Sequence, residues 1–149
     1  MNIIFICLGN ICRSPLAEAI ANKYIQDNKI TNISISSAGT GDWHIGHPPC
    51  DKSQKIAKQF SLDISKYKAS QISSKHINDY DYYLVVDDTT YKNVLSLGIN
   101  EAKILKLSFF GLDSKDIKDI YFVSEEEEIK DIFLEIELSV HNFIKHIIK

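Results

Sequence analysis

Cys7 and Arg13 bracket a five-residue stretch, Leu8-Gly9-Asn10-Ile11-Cys12, and Ser14-Pro15 follow at once. A cysteine six residues before an arginine, with a short Gly/Asn turn between them, suits an anion cradle. Five backbone N–H groups can curl around one tetrahedral oxyanion. Gly9 and Asn10 are the residue types that tolerate the left-handed backbone such a curl calls for. Arg13 can grip two oxygens with its planar fork. The chain uses sixteen lysines but only this one arginine, so the fork stands where geometry matters more than plain charge. The same positive field favours a thiolate at Cys7, and Ser14 can donate a hydrogen bond to it. A thiolate beneath a bound phosphoryl group is aligned for in-line displacement, giving a phosphocysteine. Its turnover needs a carboxyl group that first protonates the leaving oxygen and then activates water.

The loop must sit between a strand and a helix. Asn2 to Cys7 is apolar on both faces, the pattern of a buried parallel strand. Pro15 predicts a first helical turn with Ser14 as N-cap, and Leu16, Ala19, Ile20 and Tyr24 mark one helical face that fades near Lys29. Further strands are predicted at Ile33 to Ser37, Tyr82 to Val86 and Lys103 to Leu107. Helices are predicted at Cys50 to Phe60 and Thr89 to Leu97, with a short one at Ile72 to Asn78. Ser108 to Val123 reads as a long functional loop. Ser124 with Glu127 forms a capping-box pattern for a final helix that runs to Ile148 on a clean apolar stripe. Strands alternating with helices predict an α/β fold: a four-stranded parallel sheet with helices on both faces, a three-layer sandwich. Ligands in such folds bind at carboxyl ends of strands, where Cys7, Ser37, Asp87 and the loop after Leu107 fall.

The length of 149 residues suits one domain, 1–149, and the 44% hydrophobic and 25% charged content is that of a soluble globular protein. A net charge of −3 gives no reason to expect a nucleic-acid surface. No membrane-length apolar run and no signal-peptide pattern is present, so the expected location is cytoplasmic. Three cysteines, two of them in the loop, argue for reactivity rather than a disulfide framework, and Cys50 is expected to be inert.

The stretch Cys7 to Glu18, together with Ser37-Ala38-Gly39-Thr40, Trp43-His44-Ile45-Gly46 and the Asp119 region, resembles the low-molecular-weight protein tyrosine phosphatases over nearly the whole chain. The resemblance implies hydrolysis of phosphotyrosine in protein substrates. Cys7 is then nucleophile, Arg13 phosphate clamp and Asp119 general acid and base. Leu8, Gly9, Asn10, Ile11, Cys12 and Ser14 complete the phosphate loop, braced by Asn10 and Ser37. Trp43, Tyr121 and Phe122 form aromatic walls, and Cys12 resembles the second loop cysteine that traps the nucleophile in a reversible disulfide. No metal or cofactor is implied, and a monomer is expected. Three departures stand out. Lys118 and Ile120 occupy positions where the family usually has prolines, which predicts a less pre-set acid loop and makes Asp116 a fallback acid. Tyr67-Lys68-Ala69-Ser70-Gln71 lacks the arginine of the family's basic stretch. Ile11 stands where related arginine phosphatases resemble one another in having threonine.

Each residue also has a plainer reading. Cys7 and Cys12 can be packed small hydrophobes, Trp43 can be core, and Asp87 and Asp88 can be helix caps. His44, His47 and Cys50 have a metal-like spacing, but Pro48 and Pro49 interrupt it. Arsenate reduction on the same scaffold would need a cysteine relay, and no cysteine follows Cys50. A phosphocarrier subunit would use the cysteine but not Arg13 and Asp119. A phosphoprotein-binding module would bind without turnover.

Overall fold

The computed structural model describes residues 1–148. Four strands, β1 (Asn2–Cys7), β2 (Ser34–Gly39), β3 (Tyr82–Val85) and β4 (Ile104–Lys106), form one parallel sheet in the order β2-β1-β3-β4. Four helices follow them: α1 (Arg13–Asp27), α2 (Asp51–Gln59), α3 (Asp88–Ser96) and α4 (Glu126–Ile147). The predicted layers follow from side-chain alternation in the strands. Ile3, Phe5, Leu84 and Val86 face a core closed by Leu16, Ile20, Phe133, Ile136, Phe143 and others from α1 and α4. Ile4, Ile6, Tyr83 and Val85 face a smaller core with Val94, Ile99 and Ile104. A strand buried on both faces needs no polar alternation, which is why the first strand reads as a continuous apolar run.

Several local expectations are corrected. The first helix begins at Arg13, so Ser14 lies inside its first turn and is not the cap; no side chain caps this helix. The Ser14 hydroxyl is occupied elsewhere, 3.0 Å from Cys7 Sγ and 2.8 Å from Asn10 Nδ2. The capping box predicted from Ser124 and Glu127 does not form, since Glu125 holds the N-cap position without a side-chain bond. Three glutamates in the first turn of α4 favour this start through the helix dipole instead. The short helix predicted at Ile72 to Asn78 shrinks to a 3-10 turn, Ser74–His76. The long connection is not a free loop: Ile117, Ile120 and Val123 are buried, and Ile117 N–H bonds Val86 O at 3.0 Å.

Candidate active site

The loop between β1 and α1 is built from the outside inward. The Cys7 and Leu8 carbonyls accept from Thr40 and Gly41 N–H at 3.0 and 2.9 Å. The Ile11 carbonyl accepts from Cys50 N–H at 2.7 Å, and the Cys12 carbonyl from Ser53 Oγ at 3.0 Å. All peptides among the described residues are trans, so each N–H points opposite to the preceding carbonyl. The N–H groups of Leu8, Gly9, Cys12 and Arg13 therefore turn to the inside of the loop. Asn10 N–H lies 3.3 Å from Cys7 Sγ. Asn10 takes the left-handed backbone at φ 57°. Gly9 does not; it gives space, because a Cβ there would stand 3.0 Å from the His44 ring.

Asn10 is the hub of the support. Its Nδ2 donates to Ser14 Oγ at 2.8 Å and Ser37 Oγ at 3.0 Å, and its Oδ1 accepts from Ser70 N–H at 2.9 Å. Ser37 in turn donates to Glu18 Oε1 at 2.5 Å. With Asn10 donating to both hydroxyls, the Ser14 proton faces two acceptors, Cys7 Sγ at 3.0 Å and the Ala38 carbonyl at 3.5 Å, and the Ser37 proton goes to Glu18. Burial pushes the Glu18 carboxyl above its ordinary range, against the bond from Ser37.

Arg13 is 3% exposed and fully engaged on one side. Its Nη1 donates to Asp87 Oδ2 and to the Ile117 carbonyl, both at 2.8 Å. Nη2 lies 3.6 Å from Asp119 Oδ2, and the buried Nε has no partner. The side of the fork away from Asp87 carries Nε and Nη2, the pair that matches two oxygens of a tetrahedral anion. Asp87 both caps α3, accepting from Thr90 N–H at 2.8 Å, and orients the guanidinium. Burial raises its pKa, but Thr90 and Arg13 outweigh that and hold it below the ordinary carboxylate range.

A cavity of about 180 Å³ opens above the loop. It is lined by Cys7 to Gly9 and Ile11 to Arg13 on the floor, and by Trp43, His44, Asp119, Tyr121 and Phe122 on the sides. Trp43, Tyr121 and Phe122 are 63%, 54% and 81% exposed, which removes the reading of Trp43 as core. Asp119 accepts from Tyr121 N–H at 3.1 Å, a bond that starts the 3-10 turn Ile120–Phe122. Asp116 points away from this cleft, 2.7 Å from Lys106 Nζ and accepting from Asp88 N–H. Every predicted site residue except the braces Asn10, Ser14 and Ser37 lines the cleft, and those three stand behind it. His44, the Ile117 carbonyl and Glu18 were not singled out from the sequence as parts of the site, whereas Asp87 was, as a helix cap at a strand end where ligands bind. Asp87 carried a signal, its place at the carboxyl end of β3; the others depend on contacts between segments far apart in the chain.

Cys50 departs from expectation. It forms a disulfide with Cys12, with Cα atoms 5.6 Å apart, and Cys7 is the free cysteine. Sequence spacing could not show this pair, because the loop and the start of α2 meet only in the fold.

The model of the family described as low molecular weight phosphotyrosine protein phosphatase matches residues 2–149. Among curated relatives, low molecular weight protein-tyrosine-phosphatase PtpA of Staphylococcus epidermidis is 31% identical over all of this chain and 95% of its own length. The protein of the same name from Staphylococcus aureus is 32% identical, with the same coverage. Among solved structures, YfkJ from Bacillus subtilis has 31% identity and a TM-score of 0.89, covering 99% of this chain and 94% of its own. A Drosophila arginine phosphatase has 26% identity and a TM-score of 0.91, covering 100% and 99%. This chain belongs to the low molecular weight phosphotyrosine protein phosphatase family.

Proposed function

We propose that the chain hydrolyses phosphotyrosine in proteins through a phosphocysteine. The observation that carries this reading is that Arg13, with Nε unpartnered and Nη2 3.6 Å from Asp119 Oδ2, lines the same cleft as Cys7 and Asp119. The phosphoryl group sits on the loop N–H groups and the Arg13 fork. Cys7 thiolate attacks phosphorus as the bond to the tyrosine oxygen breaks, and Asp119 gives that oxygen its proton. Asp119, now a carboxylate, takes a proton from water. The water oxygen attacks phosphorus, the P–S bond breaks, and phosphate leaves as Cys7 returns to thiolate. Equatorial charge is met throughout by donors already in place, which need no reorganisation. Trp43, Tyr121 and Phe122 provide flat faces for the substrate ring. Ile11, apolar and on the cleft floor, favours an aryl ester over the guanidinium of phosphoarginine.

The test is hydrolysis of an aryl phosphate and of a phosphotyrosine peptide in the presence of chelator. Cys7→Ser abolishes turnover, and Asp119→Asn lowers kcat by about 10²–10⁴-fold, whereas Asp116→Asn leaves it near the wild-type value. Retained activity in Cys7→Ser overturns the mechanism. A large loss in Asp116→Asn overturns the choice of acid, and preferential turnover of phosphoarginine overturns the substrate class.

A further inference from the structure

The disulfide joins the last residue of the phosphate loop to the first residue before α2. Two hydrogen bonds hold those segments together regardless of the sulfurs: Cys50 N–H to the Ile11 carbonyl and Ser53 Oγ to the Cys12 carbonyl. Cys12 and Cys50 therefore stay adjacent when reduced. Ser53 is fully buried, and its Oγ lies 3.3 Å from Cys50 Sγ, in place to bond a Cys50 thiol. The three sulfurs also differ in access. Cys7 and Cys12 are 2% and 3% exposed, while Cys50 is only partly buried. Cys7 and Cys12 line one cleft, which Cys50 does not.

We propose that these residues form a three-thiol relay that reduces a hydroperoxide and returns Cys7 to its working state. The relay rests on the reading of Cys7 as the nucleophile. Cys7 thiolate attacks the peroxide: an S–O bond forms, the O–O bond breaks, and an alcohol or water leaves after taking a proton. Cys12 thiol displaces the sulfenic oxygen as water, forming a Cys7–Cys12 disulfide. Cys50, as thiolate, then attacks Cys12 Sγ. The Cys12–Cys50 bond forms, the Cys7–Cys12 bond breaks, and the electron pair leaves on Cys7. Exchange expels the sulfur that best carries negative charge. Here that sulfur is Cys7, beside the Ser14 hydroxyl and Asn10 N–H. The net change is one peroxide reduced and two thiols oxidised. The oxidised pair ends at the sulfur most open to an external dithiol, which restores both thiols. A structural disulfide alone would not need a link through Cys7.

The experiment starts from fully reduced protein, freed of reductant and given one equivalent of hydrogen peroxide. Cysteine-containing peptides are mapped by mass spectrometry over time, and phosphatase activity is read in parallel. In wild type, free thiols fall from three to one, a Cys7–Cys12 link precedes the Cys12–Cys50 link, and activity returns without added reductant. In Cys50→Ser and Cys50→Ala, activity before peroxide is unchanged; after peroxide it is lost, with Cys7 linked to Cys12. In Cys7→Ser, the Cys12–Cys50 link forms far more slowly than in wild type. Equal rates of that link in wild type and Cys7→Ser overturn the relay, as does activity that recovers equally in Cys50→Ser. The peptide maps do not need phosphatase turnover. An enzyme inactive before peroxide therefore counts against the phosphatase reading, and the relay is judged on the maps.

Discussion

Gly39 ends β2 against the loop between β1 and α1. A Cβ there would stand 2.7 Å from the Leu8 oxygen, 2.9 Å from the Gly9 carbonyl carbon and 3.0 Å from Asn10 N. All three are backbone atoms and cannot rotate aside. Gly39→Ala must push the loop away from the sheet, at a cost of about 1–3 kcal/mol for an overpacked site. The expected outcome is a lower Tm and a fall in kcat/KM, read by thermal melting and aryl-phosphate hydrolysis; unchanged values would show that the loop yields freely. The same scale explains what could be read in advance. That Cys7 and Arg13 line one cleft was legible because one short loop holds both. The roles of Asn10 and Ser14 were only half legible, since a polar side chain near a helix start can serve the cap or the site. Ser14 serves the site because its hydroxyl accepts from Asn10 and lies 3.0 Å from Cys7 Sγ.

The segment around Asp119 shows how an element can be fixed without the residues expected to fix it. Proline would set φ directly, and Lys118 and Ile120 do not. Burial does it instead. Ile117 and Ile120 are 1% and 0% exposed, the Ile117 carbonyl bonds Arg13, and Lys118 pairs with Glu128 at 2.5 Å. Asp119 is nevertheless extended, at φ −78° and ψ 115°, close to what a following proline imposes. Ile120→Ala should cost about 2–5 kcal/mol of stability as a large-to-small core change and, under the proposed mechanism, lower kcat more than KM, since it loosens Asp119 and leaves the loop between β1 and α1 intact. Denaturant unfolding and steady-state kinetics check both; a change in KM alone would mean that Ile120 does not position Asp119. The strands were legible from their apolar runs. The segment around Asp119 was not, because its anchors are single buried side chains with no periodic pattern. The start of α4 was misread because Ser124 offers a cap that the chain does not use.

Across the whole molecule, two carboxylates behind the loop make stability depend on pH in opposite senses. Asp87 is held below its ordinary value of 3.8, so its contribution is present above that value and is lost as pH falls through the lowered one. Glu18 is raised above 4.5 by burial, so the folded state loses stability as pH rises from 4.5 through the raised value. The Tm advantage of wild type over Asp87→Asn should therefore shrink on acidification. The Tm of wild type relative to Glu18→Gln should rise over the same titration. Melting curves of the three proteins between about pH 3 and about pH 7 decide it, and parallel curves would mean that neither group is coupled to folding. The layered sheet was legible at this scale from the alternation of patterns, while the Cys12–Cys50 pair and the contacts of Arg13 were not, since both exist only once distant segments have docked. That docking has a consequence during synthesis. Cys7 emerges well before Asp87, which sets the guanidinium, and before Asp119. A growing chain thus carries the thiol before it has the means to hydrolyse anything, and catalytic competence arrives as a single late event, when β3 pairs with β1 and the segment around Ile117 closes over Arg13.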